Sequence, residues 1–170
     1  MKHTISVLVE NKPGVLSRVS GLFARRGFNI HSLAVGTTEN PNVSRMTIVV
    51  DLPERPLEHV TKQLYKLINV LKVIELDPAS SVERELMLIK VRAVAEVRGK
   101  IIELADVFRA KILDVGADAM TVEVTGAPDK LQAFEDLVAG YGIIELVKGG
   151  RVALARGSKS IKDRTLRVAG

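Results

Sequence analysis

Residues 3–9 (HTISVLV) alternate, with Ile5, Val7 and Val9 on one face, and predict a strand. After an Asn-Lys-Pro-Gly turn, Val15, Leu16, Val19, Leu22 and Phe23 recur at helical spacing. Arg25, Arg26 and Gly27 end that helix, cations first and then a glycine. Residues 28–37 read as a strand, ENPN as a turn, and 43–51 as a strand with Met46, Ile48 and Val50 on one side and Arg45 and Thr47 on the other. Pro53 and Pro56 end it. Leu57, Val60, Leu64, Leu67, Ile68 and Leu71 form a second helical stripe, and 70–76 closes as a strand. The order is β-α-β-β-α-β, the split ferredoxin-like arrangement.

The order then recurs after the turn-rich Asp77–Ser81. Residues 84–93 predict a strand, Val97, Ile101, Ala105 and Phe108 a helix face, and 110–116 a strand. Residues 119–125 alternate, Met120, Val122 and Val124 against Thr121, Glu123 and Thr125. Pro128 stands where a helix accepts proline, Leu131, Phe134, Leu137 and Val138 make its stripe, and 143–148 is a strand. Residues 152–156 are a candidate short extra strand. The fold class is α+β, two tandem ferredoxin-like βαββαβ domains at 1–77 and 84–157, joined by a linker at 78–83 and followed by a tail at 158–170.

Hydrophobic content of 46% supports packed cores, and aromatic content of 4% makes them aliphatic. Zero Cys excludes disulfides, thiolate metal sites and a Cys nucleophile, and fits a reducing cytoplasm. No apolar run approaches the roughly 20 residues that span a bilayer, and the first residues lack a signal peptide's apolar core. A soluble, cytoplasmic protein is expected. Net charge is +5, and Arg151, Arg156, Lys159, Lys162, Arg164 and Arg167 against Asp163 account for all of it. A solvated, mobile end is the ordinary reading of such a tail, and contact with an acidic partner surface is the alternative. RNA binding is disfavoured because the strands lack stacking aromatics. His3, His31 and His59 have no metal-ligand spacing, and no base–nucleophile pattern accompanies Ser17, Ser20 or Thr61. The expectation is therefore no catalytic residues, no metal and no cofactor in this chain. What stands out is Glu10–Leu16, a strand-to-helix turn that leaves helix N-terminal N–H groups free for a small anion. A site that binds without chemistry points to a sensor.

ENKPGVLSRVSGLFARRGFNI resembles the opening of an ACT domain, the small amino-acid-sensing module. With SRMTIVV at 44–50, KQLYKLINVLKVIEL at 62–76 and VERELMLIKV at 82–91, the chain resembles the small regulatory subunits of acetolactate synthase over residues 2–157. The resemblance implies a non-catalytic subunit that activates a large catalytic subunit using thiamine diphosphate, Mg²⁺ and FAD. It further implies feedback inhibition by valine or another branched-chain amino acid, in a homodimer formed through the ACT domains. Asn11, Gly14, Val15 and Leu16 of one chain, with Asn29 and Ile30 of the other, would hold the effector. Backbone N–H groups of Gly14, Val15 and Leu16 suit its carboxylate, the Asn11 and Asn29 amides its ammonium, and Ile30, Val15 and Leu16 an aliphatic wall. A methylene in such a pocket is worth only about 1–3 kcal/mol, so valine, leucine and isoleucine should overlap. The alternative is an ACT sensor serving a different metabolic enzyme or regulator.

Overall fold

The computed structural model describes residues 1–52 and 57–162. Pro53 and Pro56 lie outside the described residues, as do Asp163, Arg164 and Arg167 of the tail. The chain forms two compact units, Met1–Val82 joined by the segment that begins at Arg151, and Glu83–Gly150.

Unit 1 holds β1 (Lys2–Glu10), α1 (Val15–Arg25), β2 (Asn29–Thr37), β3 (Val43–Asp51), α2 (Leu57–Leu64) and β4 (Val70–Leu76). The sheet order is β2-β3-β1-β4, antiparallel throughout, so β2 and β4 are its edges. Ile5, Val7 and Val9, Met46, Ile48 and Val50, and Val70 and Val73 pack against Val15, Val19, Leu22 and Phe23 of α1 and Val60 and Leu64 of α2. Each such side chain contributes about 1.5–3 kcal/mol when fully buried. The opposite sheet face is covered as well: Thr4, Ser6, Leu8, Thr47 and Val49 are all buried. The alternation of the sequence therefore does not reappear as alternating exposure along β1 and β3.

α1 stops as its composition predicts. Gly27 takes φ 70, which a side chain would strain. Its N–H donates to the Ala24 carbonyl at 3.0 Å and that of Phe28 to the Phe23 carbonyl at 3.0 Å, a Schellman closure. Arg26 does not only face the helix dipole, since its Nη2 donates to Gln63 Oε1 at 2.7 Å. α2 ends at Leu64, short of the stripe that runs to Leu71. Three-residue turns take over there, with Lys66 N–H donating to the Gln63 carbonyl and Leu67 N–H to the Leu64 carbonyl. Leu67 still packs on the core, whereas Ile68 points to solvent.

Unit 2 is built on β5 (Ser81–Arg92), α3 (Ala95–Val107), β6 (Lys111–Val115), β7 (Ala119–Gly126), α4 (Pro128–Ala139) and β8 (Ile143–Lys148). The order is β6-β7-β5-β8, and the expected short extra strand forms as β9 (Val152–Ala155). β5 starts earlier than expected, directly after one 3-10 turn at Pro78–Ser80, so residues 81–83 are strand rather than linker. Asp77 Oδ1 accepts from Ala79 N–H at 2.9 Å and caps that turn. Met87, Ile89 and Val91 meet Met120, Val122 and Val124 beneath Ile101, Ala105, Leu131, Phe134 and Val138. Leu137, expected in the same stripe, is exposed. Positions 131, 134 and 138 already fill the face that α4 turns to the sheet.

Residues 151–157, read from sequence with the second half, group with unit 1. Arg151 N–H donates to Ser32 Oγ at 2.8 Å and Arg156 N–H to the Ser80 carbonyl at 2.9 Å. Arg45 Nη2 reaches the Ala153 carbonyl at 3.3 Å. Burial lowers the pKa of that guanidinium. The start of the tail is likewise not a free end, since Ile161 is buried and Lys162 Nζ pairs with Glu39 Oε1.

Candidate effector site

The turn between β1 and α1 is organised from both sides. Asn11 N–H donates to the Asn42 carbonyl at 2.8 Å, and Asn11 Nδ2 to the Pro41 carbonyl at 2.9 Å. The side chain is thus held from the β2–β3 loop, and its Oδ1 is left to accept. Lys12 N–H donates to the Glu10 carbonyl at 3.0 Å, and Lys12 Nζ pairs with Glu10 Oε2 at 2.6 Å. The hydrogen bond from that ammonium, more than any other influence, keeps the Glu10 carboxyl below its ordinary pKa.

Gly14 is the residue before α1, at φ 84 and ψ −9, with no side chain capping the helix. A Cβ at Gly14 would meet nothing within 4 Å, so the space over the turn is open. The first-turn N–H groups of a helix have no partner within it. One of them is partly committed here: Val15 N–H points to the Lys12 carbonyl at a long 3.4 Å. Gly14, Leu16 and Ser17 supply the donors of this anion-favouring corner.

The side chains expected around it divide. Val15 is 4% exposed and belongs to the core of unit 1, so its side chain forms no wall of a surface pocket. Leu16 is 44% exposed beside the turn and is the apolar group available there. Asn29 is exposed at the first position of β2, and Ile30, partly buried, packs against the core. Asn29 and Ile30 stand at the other end of the sheet. Glu10 pairs with Val43 at the start of β3, while Asn29 pairs with Asp51 at its end. The length of β3 separates the two groups, roughly 26 Å at about 3.3 Å per residue.

Sequence reasoning missed Lys12 and the carbonyls of Pro41 and Asn42. ENPN is legible as a turn, but nothing local ties it to Asn11 thirty positions away. Arg18 and Asn69 were missed as well: Arg18 Nη1 donates to Asn69 Oδ1 at 2.7 Å, and the Asn69 carbonyl accepts from Glu10 N–H at 2.9 Å, buttressing the end of β1. The histidines stay apart, His3 on Glu75 at 2.7 Å and His31 on Lys2 at 3.2 Å. Among the described residues no group of three or more His, Cys, Asp or Glu side chains could hold a metal ion, and no helix is long and apolar enough to cross a membrane.

Comparison with known proteins covers both halves. Residues 5–72 match the model of the AHAS small subunit-like ACT domain, and residues 84–157 that of the small subunit of acetolactate synthase. The acetolactate synthase small subunit of Mycolicibacterium smegmatis is 57% identical over 159 residues, 94% of each chain. That of Mycobacterium leprae is 55% identical over 159 residues, again 94% of each. The crystal structure of the Thermotoga maritima acetolactate synthase small subunit superposes with a TM-score of 0.85 at 43% identity, covering 94% of this chain and 99% of that one.

Proposed function

Because the chain belongs to the family of acetolactate synthase small subunits, we propose that it senses a branched-chain amino acid as a two-fold pair. It is a non-catalytic regulatory subunit, and the thiamine diphosphate, Mg²⁺ and FAD of the reaction belong to the large catalytic subunit with which it works. Its place of work is the cytoplasm. Sensing falls to the first half, residues 1–77.

The observation that carries the reading is the separation of the two groups within one chain. β2 is an edge strand of its sheet, and a sheet edge presents unpaired N–H and C=O groups to another strand. Two copies of Asn29–Thr37 laid antiparallel about a two-fold axis bring Asn29 of the partner subunit beside Thr37, at the end of the sheet where the Gly14 turn lies. Neither copy alone assembles the site, and the pair assembles it twice. The effector carboxylate takes the donors of Gly14, Leu16 and Ser17. The ammonium takes the Oδ1 atoms of Asn11 and of Asn29 across the axis. Leu16 and Ile30 flank the side chain, and these aliphatic groups favour a short branched one.

A ligand bridging two chains stabilises one arrangement of the pair over others, and only that difference reaches the catalytic subunit. Coupling of about 1–3 kcal/mol gives inhibition of the usual size, and the catalytic subunit must alter effector affinity by the same factor. Calorimetry with L-valine, L-leucine and L-isoleucine, alongside sedimentation, tests this. Binding should titrate at one effector per chain and only in the dimer; equally tight binding by a monomer would refute the shared site.

A further inference from the structure

The C-terminal segment is fastened to the loop that positions Asn11, and this loop is stiff. Thr38 N–H and Thr38 Oγ1 both donate to the Val43 carbonyl at 3.0 Å. Asn40 N–H donates to Thr38 Oγ1 at 3.2 Å, Asn42 N–H to Asn40 Oδ1 at 3.0 Å, and Val43 N–H to the Asn40 carbonyl at 3.0 Å. A loop bonded to itself in this way moves as one piece. Two groups outside it hold on. Asn11 donates twice, to Pro41 and Asn42. Lys162 pairs with Glu39.

Lys162 is in turn held in place. Its N–H donates to Ser160 Oγ at 3.0 Å, and the neighbouring Ile161 is 5% exposed. Upstream, Arg151 is bonded to Ser32 on β2, Arg45 on β3 to Ala153, and Arg156 to Ser80. The segment from Arg151 to Lys162 is therefore fastened in turn to β2, to β3, to Ser80 and to the β2–β3 loop, all within unit 1.

We propose that Lys162 is a positioning residue for the effector site: through Glu39 it fixes the β2–β3 loop and, through Pro41 and Asn42, the amide of Asn11. The basic tail acts on the sensor of its own chain. Lys162 touches no ligand. This inference rests on the effector reading above and names what sets its affinity.

The ion pair is half-exposed, at 51% for Lys162 and 68% for Glu39, so its effect is small and weakens with salt. An exposed pair is worth about two- to fivefold in an equilibrium. The experiment is a double-mutant cycle on the full chain, with Lys162→Ala, Glu39→Ala, both together, and the exchange Lys162→Glu with Glu39→Lys. Two quantities are measured on each: affinity for L-valine, L-leucine and L-isoleucine by calorimetry, and hydrogen exchange of the Asn11 N–H without ligand. Each single substitution should weaken binding and speed exchange at Asn11 by about two- to fivefold. The double substitution should be no worse than either one, and the exchanged pair should restore both quantities. A merely structural role predicts lowered melting temperature and no rescue by charge exchange; that result overturns the proposal. So does exchange at Asn11 that matches the unaltered chain in every variant. If the unaltered chain binds none of the three amino acids, the effector reading fails, while the exchange measurement still decides the link from Lys162 to Asn11.

Discussion

Replacing Gly14 by Asp separates the two demands on this turn, folding and anion binding. Gly14 stands at φ 84, where an L-residue is strained by roughly 1–2 kcal/mol, least for Asp and Asn. No clash adds to this, because nothing lies within 4 Å of the new Cβ. The added carboxylate faces the positive end of α1 and recovers about 0.3–1 kcal/mol. Stability should therefore fall by no more than about 2 kcal/mol, a melting shift of several degrees or more for a unit of this size. The effector suffers far more. Two carboxylates about 4 Å apart repel by about 1 kcal/mol in water and about 4 kcal/mol in the partly shielded setting of a protein surface. Affinity should drop by between roughly fivefold and a thousandfold, and by less at high salt. Gly14→Ala carries the strain without the charge and is the control. Calorimetric titration with valine, paired with thermal melts of both variants, measures each part. Equal valine affinity in Gly14→Asp and Gly14→Ala would refute the placement of the carboxylate at this helix start.

Other outcomes follow from the same geometry. Phe134 is fully buried and meets Phe108 edge-on at 5.3 Å, so Phe134→Ala should cost about 3–5 kcal/mol in chemical denaturation; a cost below about 1 kcal/mol would contradict the packing of unit 2. Val35→Lys places a charge on the β2 edge at a position 45% exposed in the single chain, so it should weaken self-association at least about tenfold in sedimentation while the fold survives; unchanged association would argue against pairing through β2. Glu10, Asp51 and Glu58 have carboxyls held below their ordinary values, chiefly by hydrogen bonds from Lys12, the N-terminal ammonium and Lys62. A depressed carboxyl stabilises the fold above its unfolded value and loses that contribution as pH falls through its folded value. Stability should hold from neutral pH down to near 4.5, the ordinary glutamate value, and decline below it; melting temperatures that rise on acidification would refute the pairs.

Much of this architecture was legible because most of its signals are local. Met120, Val122 and Val124 alternate in sequence and all line the core of unit 2. Asn-Lys-Pro-Gly announces the turn before α1, and Arg26-Gly27 its end. What could not be read depends on contacts distant in sequence. Leu8 and Val49 are outward-facing by period yet buried, because the second face of the sheet is also covered. α2 stops at Leu64 although apolar residues continue at helical spacing, since Leu67 serves the core from a turn. Val15 and Leu16 look alike in sequence, but one turns into the core and the other out beside Gly14. The candidate site residues were proposed from one motif; that Asn11 and Asn29 stand at opposite ends of a sheet needed the strand register.

Unit 1 is discontinuous, interrupted by Glu83–Gly150 and completed only by the segment from Arg151. A ribosome delivers about 5–20 residues per second, so the amino-terminal sheet waits several seconds for the piece that finishes it. The inserted unit is contiguous and can close first. Throughout that interval Ser32 and Arg45 have yet to meet Arg151 and Ala153, and nascent chains are open to capture by chaperones or by one another on the same polysome.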